Sequence, residues 1–382
     1  MNKKLYYISF ILILVSTTRC QESKIGGVIH KGNDISSKQA VVVEWDSVVI
    51  DAFNTSGRGD YFMIDSIISF ADRNYARVYN YDCRSGELLS HHFGLGMGPN
   101  ELNKFSLATP VKNDSSVFII DGNLEVHFYN KNKCVLDKKG MMDFGWVNRY
   151  TGEYELPQVY NFMLMSDLGA NVYKYHDNLV VPIQPITRYA CEDGLITRAH
   201  YEKSHILGLL DVNTMKITEV FGHYPSSFLD KSMPQFNFFS YFIQDDLFYV
   251  NFPTDSLIYV YKYPDQLKYV FGYECEEVNR NYTTSNKINK EIYKDFVNCG
   301  MNTGIYHFPE LKYICRTYMK DMTNRIGGMQ IYNYSYDLIA EIEVPPNFKL
   351  LGYFDSCFYG VTLKPTETEE NTFVTFYKGR LL

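Results

Sequence analysis

Histidines are the residues of this sequence best suited to chemistry, but their spacing matches no known site. His91 and His92 are adjacent, so on a strand their side chains would face opposite sides and could not bind one ion together. His200 and His205 lack the H-E-x-x-H order of a zinc protease. We expect no metal site and no cofactor, and histidines brought together from distant segments remain the alternative.

Carboxylates give no clearer indication of a reaction. Residues 121–125, Asp-Gly-Asn-Leu-Glu, place oxygen-bearing side chains at alternate positions, as a calcium loop does, but without the remaining spacing of an EF-hand. Asp-Gly-Asn between two strands is a common hairpin turn, and a turn is the better interpretation. The chain has no G-x-S-x-G nucleophile motif and no P-loop. We therefore assign no catalytic residue.

The glycine-rich segment at residues 94–101, Gly-Leu-Gly-Met-Gly-Pro-Asn-Glu, is the most conspicuous local motif. A dinucleotide fingerprint must open a helix within a βαβ unit, whereas here β-type sequence lies on both sides. The segment is typical of a loop that is rich in positive-φ positions and links two sheets.

The N-terminal residues predict export. Lys3 and Lys4 precede an apolar run at residues 5–15, which is too short to span a bilayer but matches a signal-peptide core. Cys20 follows where a bacterial lipoprotein carries its lipidated cysteine, with Arg19 where such signals usually have a small residue. We expect Cys20 to be lipidated and to anchor the chain to a membrane. An ordinary export signal with an incidental cysteine is the alternative.

The other cysteines predict neither zinc binding nor redox chemistry. None lies in a C-x-x-C pair, and their spacings are wide and irregular. Their number after Cys20 is odd, so at least one thiol stays free, and most are expected to be small core residues.

Composition favours strands and argues against nucleic-acid binding. The chain of 382 residues contains 33 Tyr and 26 Phe but only 2 Trp, and aromatic residues are enriched in strands. The formal net charge is −7, with no long basic run. Loss of the N-terminal signal would make the chain more acidic still, so any membrane attachment should come from the lipid anchor alone.

A three-residue pattern recurs six times along the chain: a hydrophobic residue, then usually Tyr, and then Asn, Lys or Asp. The central residues of the copies are at positions 79, 129, 210, 261, 332 and 377. A second β-type run precedes each copy, at residues 67–70, 117–120, 179–183, 247–252, 313–318 and 358–363. The copies are too far apart for one hairpin each but fit one four-stranded sheet each.

The two ends of the chain indicate how such an array closes. Too few residues follow the sixth copy to form an outer strand, while the strand-like residues 40–50 have no sheet of their own. We expect this N-terminal strand to complete the last sheet, because an open array would leave its edges exposed. One helical stretch is expected near residues 286–298, with Ile288, Ile292 and Phe296 on one face packed against a sheet edge. Residues 184–204 are expected to be an inter-strand loop.

The fold we predict is all-β: a six-bladed β-propeller closed by an N-terminal strand, with one short helical insertion. Residues 1–19 are expected to be a signal peptide, residues 20–37 a tether and residues 38–382 the propeller.

Two segments resemble a known group of proteins. Residues 93–102, Phe-Gly-Leu-Gly-Met-Gly-Pro-Asn-Glu-Leu, resemble the G-x-G-P-[GN]-E-[FL] loops of NHL/TolB-like six-bladed propeller lipoproteins of Bacteroidota. Residues 251–261, Asn-Phe-Pro-Thr-Asp-Ser-Leu-Ile-Tyr-Val-Tyr, are similar to a segment of uncharacterised families in that group. The resemblance covers about residues 40–382 and implies fold and cell-envelope address, with no common catalytic residues.

These observations favour a binding or scaffold protein of the cell envelope, held at the outer membrane on its periplasmic or outer surface. The expected partner is a glycan, a peptide or an envelope protein, and the chain is expected to be a monomer. Two alternatives stay open. A propeller-type hydrolase, lyase or metal-dependent lactonase would need carboxylates or histidines clustered at the channel mouth. A structural subunit of a larger complex would need a broad exposed apolar patch.

Overall fold

The computed structural model describes residues 28–31, 43–52, 54–130, 135–143, 160–162, 171–185, 198–275, 277–285, 290–320, 326–362, 366–367 and 372–381. These residues form an all-β fold, as predicted, with only short helices. Cys20 and the predicted signal peptide lie outside the described residues. Within the described part of the chain, no helix is long and apolar enough to cross a membrane.

The strands form five hydrogen-bonded sheets. They divide into six groups of four mainly antiparallel strands, called sheets 1 to 6 below, and sheets 2 and 3 are joined because residues 172–173 pair in parallel with residues 111–112. Two N-terminal strands, β1 (Val28–Lys31) and β2 (Val43–Asp51), precede them. Sheet 1 contains β3 (Gly59–Ile64), β4 (Ile67–Asp72), β5 (Arg77–Asp82) and β6 (Leu88–His92). Sheet 2 contains β7 (Phe105–Lys112), β8 (Ser116–Asp121), β9 (Glu125–Asn130) and β10 (Val135–Met141).

Sheets 3 and 4 carry extra strands. Sheet 3 contains β12 (Val172–Tyr175), β13 (Asn178–Pro185), β14 (His205–Asp211) and β15 (Lys216–His223), with β11 (Tyr160–Phe162) paired to β13. Sheet 4 contains β16 (Ser240–Gln244), β17 (Leu247–Asn251), β18 (Ile258–Lys262) and β19 (Gln266–Gly272). In the stretch predicted as a tether, β1 pairs with β19 in parallel.

Sheets 5 and 6 complete the set. Sheet 5 contains β20 (Met301–Phe308), β21 (Tyr313–Met319), β22 (Gly327–Asn333) and β23 (Leu338–Val344). Sheet 6 contains β24 (Phe348–Phe354), β25 (Cys357–Thr362) and β27 (Thr372–Leu381), and β26 (Thr366–Glu367) pairs with β27. Each of the six recurring sequence patterns lies in the third strand of its sheet, and each preceding run in the second, as predicted.

The N-terminal strand β2 completes sheet 6. It pairs antiparallel with β27 from Val43, opposite Leu381, to Asp51, opposite Phe373. Trp45 of β2 also packs edge-on against Phe348 of β24, with ring centroids 4.9 Å apart. The predicted joining of the two chain ends is therefore confirmed from residue 43 onward, and it leaves β2 rather than the C-terminal strand at the sheet edge.

Aromatic and aliphatic side chains fill the space between neighbouring sheets. Clusters of buried residues join sheet 1 to sheet 2, sheet 2 to sheet 3, sheets 3 to 5 in succession, and sheet 5 to sheet 6. A further cluster, which includes Phe70 and Tyr79 of sheet 1 and Tyr359 and Phe376 of sheet 6, joins the last sheet to the first. Many of the aromatic residues of the sequence thus form the core between sheets.

The helices differ from the prediction. Three are present in the described residues: α1 (Arg198–Lys203), α2 (Ser226–Asp230) and α3 (Asp295–Asn298). Single 3₁₀ turns lie at Pro234–Phe236 and Ile292–Lys294. Helix α3 and the 3₁₀ turn at Ile292–Lys294 lie within the predicted insertion at residues 286–298. Helices α1 and α2 were not predicted, since they lack a long apolar period and form through tertiary contacts.

Those contacts are aromatic. Tyr201 of α1 packs against Tyr224 and Phe228, with ring centroids 5.2 and 5.5 Å apart. Near the expected helix, Ile292 is buried, and the rings of Phe296 and Phe236 lie 5.2 Å apart, centroid to centroid. Phe236 belongs to a 3₁₀ turn, so this contact of the stripe is with a turn rather than with the predicted sheet edge. Ile288 lies outside the described residues.

The glycine-rich loop links sheets 1 and 2 and opens no helix, as predicted. The expectation of several positive-φ positions was wrong, because Gly96, with φ of 156°, is its one positive-φ glycine. Its glycines instead make room for Glu101. A Cβ on Gly96 would lie 2.0 Å from Glu101 Oε2, and the Gly98 N–H donates to the same oxygen at 2.8 Å.

Candidate ligand-binding cavity

A cavity of about 210 Å³ lies where the first strands of all six sheets meet. Each of β3, β7, β12, β16, β20 and β24, or the residue next to it, contributes to the lining. The six sheets therefore share one internal space, although they come from segments more than two hundred residues apart. Representative lining residues, one from each strand in that order, are Met63, Lys112, Tyr173, Phe242, His307 and Lys349.

Two lysines make this cavity cationic. Lys112 is the last residue of β7 and Lys349 lies near the start of β24, and both line the cavity. Poor hydration, reinforced by the like charge of Lys349, lowers the pKa of Lys112 to about 8. Lys112 makes no ion pair with any residue that the structure describes. A lysine held in this way favours a bound anion, which would stabilise its charged form.

His307 of β20 extends the polar lining. Its ring stacks on Phe242 with centroids 5.2 Å apart and an interplanar angle of 11°. Its Nε2 lies 2.6 Å from the Tyr334 hydroxyl oxygen. Burial lowers the pKa of His307, and the nearby carboxylates of Glu310 and Asp245 only partly oppose this. The ring is thus fixed in orientation by one stacking contact and one hydrogen bond.

Asp60 is the acidic residue among those that line the cavity, and it is already engaged. Its Oδ1 lies 2.7 Å from Arg73 Nη2, and its Oδ2 accepts a hydrogen bond from the Ala108 N–H at 3.1 Å. Its negative charge is therefore neutralised by Arg73 rather than by the cavity lysines. The lining combines cations, aromatic faces and apolar surface, a mixture that suits a small acidic ligand.

The candidate histidines of the sequence lie in three separate places. His91 and His92 face different neighbours, with Tyr79 6.1 Å from the first ring and Tyr129 5.8 Å from the second, as predicted. His200 is buried in α1, and burial lowers its pKa to about 4. His205 does not meet His200 but pairs across the sheet with His223, a residue that the sequence did not single out.

The segment at residues 121–125 is a hairpin turn between β8 and β9, as predicted. Asp121 Oδ1 accepts hydrogen bonds from the N–H groups of Asn123 and Glu125, at 2.8 and 3.0 Å. Its Oδ2 lies 3.1 Å from His127 Nε2. One carboxylate oxygen thus serves the turn, and the other contacts the histidine of the strand that follows it. Asp121, Glu125 and His127 approach one another closely enough to hold an ion, but the turn already explains their arrangement.

The described cysteines are core residues, as predicted. Cys83, Cys275, Cys299, Cys315 and Cys357 are buried and free. Burial alone raises the pKa of the Cys315 thiol, and burial also raises that of Cys299, to about 11. Thiols held in their neutral form are poor nucleophiles, so these residues serve packing.

The cavity residues could not be found from the sequence motifs. The recurring pattern and its preceding run identify the third and second strands, whereas the cavity is lined by first strands, which share no motif. One signal was present: Lys112 interrupts an otherwise apolar end of its strand, Ala-Thr-Pro-Val-Lys at residues 108–112. A charged residue at such a position is either at a strand end or in a functional site.

Comparison with known proteins gives a fold but no function. No family model matches the chain, and no curated protein matches it. Among solved structures, a member of the DUF4221 family from Bacteroides vulgatus is similar with a TM-score of 0.63 and 10% identity, over 91% of this chain and 99% of that one. A candidate exported protein from Bacteroides fragilis has a TM-score of 0.50 and 12% identity, over 93% of this chain and 99% of that one. At these identities the likeness is one of β-rich fold.

Proposed function

We propose that this chain is an exported, lipid-anchored six-bladed β-propeller that binds a small acidic ligand in its central cavity. The observation that carries the proposal is Lys112, a cavity lysine near a second lysine and without an ion pair in the described residues. Such a residue destabilises the fold unless an anion is bound, and costly polar groups concentrate at functional sites.

The sheet arrangement supports the propeller. Six groups of four strands follow one another along the chain, two of them joined by the parallel pairing of β7 with β12. Adjacent groups share buried clusters, and the last group shares one with the first. The pairing of β2 with β27 joins the chain ends within one sheet. Such a ring removes the exposed sheet edges that would otherwise invite aggregation.

The N-terminal residues and one structural neighbour support the envelope address. The charged and apolar segments before Cys20 have the order of an export signal. The Bacteroides fragilis protein with a similar fold is named for export. An acidic domain would be repelled by anionic lipid, so the lipid on Cys20 would supply the membrane attachment.

The chemistry of the lining favours a carboxylate-bearing sugar or peptide over a neutral ligand. Lys112 and Lys349 can each donate to carboxylate oxygens, while Phe242 and Tyr173 offer apolar surface beside them. The volume of about 210 Å³ lies below the range typical of drug-sized ligands, so a single acidic residue or sugar is the unit expected to enter. The alternative hydrolase would need clustered carboxylates, and the acidic lining residue of this cavity is Asp60, which is paired with Arg73.

Isothermal titration of the full chain in nonionic detergent tests the binding. D-glucuronate and succinate would each be compared with neutral D-glucose at pH 7 and equal ionic strength. We expect at least one acid to bind, and Lys112→Met and Lys349→Met to weaken it at least tenfold. Lys104→Met, which removes an exposed charge elsewhere, should leave binding unchanged. Equal binding of glucose and both acids, or full binding by Lys112→Met, would refute the cavity as the site.

Lipidation is tested separately. In a Gram-negative host supplied with an alkyne analogue of palmitate, the wild-type chain should be labelled and Cys20→Ala should not. Label on Cys20→Ala would show that another residue is acylated. Absence of label from the wild type would support the ordinary export signal instead.

A further inference from the structure

A second feature, formed by residues that do not line the cavity, brings together two histidines and an aspartate. His205 begins β14 and His223 ends β15, and the strand register places them directly opposite each other. Their rings lie 4.5 Å apart, centroid to centroid. Asp265 comes from the turn between β18 and β19, so it reaches this pair from the neighbouring sheet 4.

The ligand atoms of these three side chains converge. His223 Nε2 lies 3.7 Å from Asp265 Oδ2, and one atom from each of the three residues lies within 4.8 Å of the other two. A separation of 3.7 Å is too long for a hydrogen bond, although it allows an ion pair when His223 is protonated. It is close to the distance between two ligands of one metal ion, since bonds of about 2.0–2.2 Å at a tetrahedral angle place their ligand atoms about 3.3–3.6 Å apart.

The surroundings hold the carboxylate and leave the site open to solvent. The Gly222 N–H donates to Asp265 Oδ1 at 2.5 Å, which orients the carboxylate and leaves Oδ2 directed at His223. Hydrogen bonds of this kind from outside the ligand set fix the ligands of metal sites. The side chains of His223 and Asp265 are 37% and 32% exposed, so an ion could enter and keep water as a further ligand.

We propose that His205, His223 and Asp265 form a binding site for a divalent transition-metal ion that links sheets 3 and 4. Two imidazoles and one carboxylate suit Zn²⁺, Co²⁺, Ni²⁺ or Cu²⁺ better than Mg²⁺ or Ca²⁺, which prefer oxygen ligands alone. Two ligands belong to one sheet and the third to the next, so the ion would stabilise the contact between the sheets. This site is independent of the cavity and of the ligand proposed for it.

The contrast with residues 121–127 shows why this cluster carries the proposal. Asp121 Oδ1 accepts hydrogen bonds within its own turn, and Oδ2 is within hydrogen-bond distance of His127 Nε2 on the adjoining strand β9. In the His205 cluster, by comparison, the ligands come from two sheets, and local turn geometry does not require them to meet.

The test is a titration of the full chain, without a histidine tag and after treatment with EDTA, with Co²⁺ followed by its visible absorption. We expect one Co²⁺ per chain, with the visible absorption of cobalt bound by nitrogen and oxygen ligands. Zn²⁺ should displace the Co²⁺ and raise the melting temperature of the wild type, because an ion that binds only the folded state stabilises it.

Variants distinguish this site from adventitious binding. His223→Gln and Asp265→Asn should each weaken Co²⁺ binding at least tenfold and remove the Zn²⁺-dependent rise in melting temperature. His91→Gln removes an exposed histidine elsewhere and should change neither. Asp265→Asn keeps the size of the side chain, so it tests the site even if His223→Gln fails to fold. No stoichiometric binding by the wild type, undiminished binding by Asp265→Asn, or loss on His91→Gln would overturn the proposal.

Discussion

Replacement of Lys112 by methionine should stabilise the protein, which is the opposite of what most substitutions at partly buried positions do. Lys112 lines the cavity beside the like charge of Lys349, and its pKa is lowered from an ordinary value of 10.5 to about 8. That difference corresponds to a destabilisation of about 3 kcal/mol when the group is charged. Water that enters the cavity reduces it, so we expect Lys112→Met to gain about 1–2 kcal/mol at pH 7.

The stability gained by Lys112→Met should depend on pH. The folded state holds the Lys112 proton less tightly than the unfolded chain does, so the charged lysine is unfavourable at every pH below about 8. Between pH 8 and 10.5 the folded protein loses this proton first, and the unfavourable contribution disappears. The advantage of Lys112→Met over the wild type should therefore shrink steadily across that interval.

Urea unfolding followed by far-ultraviolet circular dichroism measures both quantities, with ligand-free protein at pH 7, 8, 9 and 10. Lys104→Met serves as the control, because it removes an exposed lysine and should alter stability by less than about 0.5 kcal/mol. A Lys112→Met protein that is less stable than the wild type at pH 7, or a gain that does not change with pH, would refute the account of the cavity. Loss of acid binding together with gain of stability would identify Lys112 as a residue kept for function.

Three further predictions concern the fold, each measured by urea unfolding. Arg316 is buried and donates hydrogen bonds to Ser256 O at 2.6 Å and to Gln330 Oε1 at 3.0 Å. Arg316→Met should therefore lower the free energy of unfolding by about 3–5 kcal/mol, because it leaves these acceptors unpaired. A loss of stability below about 1 kcal/mol would contradict this. Gly379→Ala should lower the free energy of unfolding by about 1–3 kcal/mol, because the added Cβ would lie 2.6 Å from the ring of Trp45 in strand β2. Gly94→Ala is the control and should be nearly neutral, since its Cβ would have no atom within 4 Å. Equal effects of the two substitutions would contradict the close packing of Trp45 against Gly379. Burial lowers the pKa of His200 from 6.5 to about 4, so between these pH values the unfolded chain binds a proton that the folded protein does not. The free energy of unfolding should therefore fall by up to about 3 kcal/mol as the pH drops from 6.5 to 4. An equally steep fall in His200→Phe would show that His200 is not the cause.

The strands that carry the recurring pattern could be predicted from the sequence because their signal is local. Each third strand alternates or clusters β-branched and aromatic residues and ends at polar turn residues, and each second strand is a short apolar run. The closing strand was predictable for a different reason: the sixth pattern lacked an outer strand, and residues 40–50 lacked a sheet. The short helices α1 and α2 were not predictable, since their few residues are held by rings such as Tyr224 and Phe228 rather than by their own periodicity.

The candidate sites depended on tertiary structure. Lys112 and Lys349 are distant in the chain and meet only because the first strands of sheets 2 and 6 face the same cavity. His205 and Asp265 likewise meet across two sheets.

By itself, then, the sequence determined the all-β class, the positions of most second and third strands, and the segment expected to direct export. Only the tertiary structure decided which polar side chains share a cavity or converge on one point. The physical reason is that alternation and turn residues act over a few neighbouring positions, whereas the cavity and the histidine cluster depend on how whole sheets pack side by side.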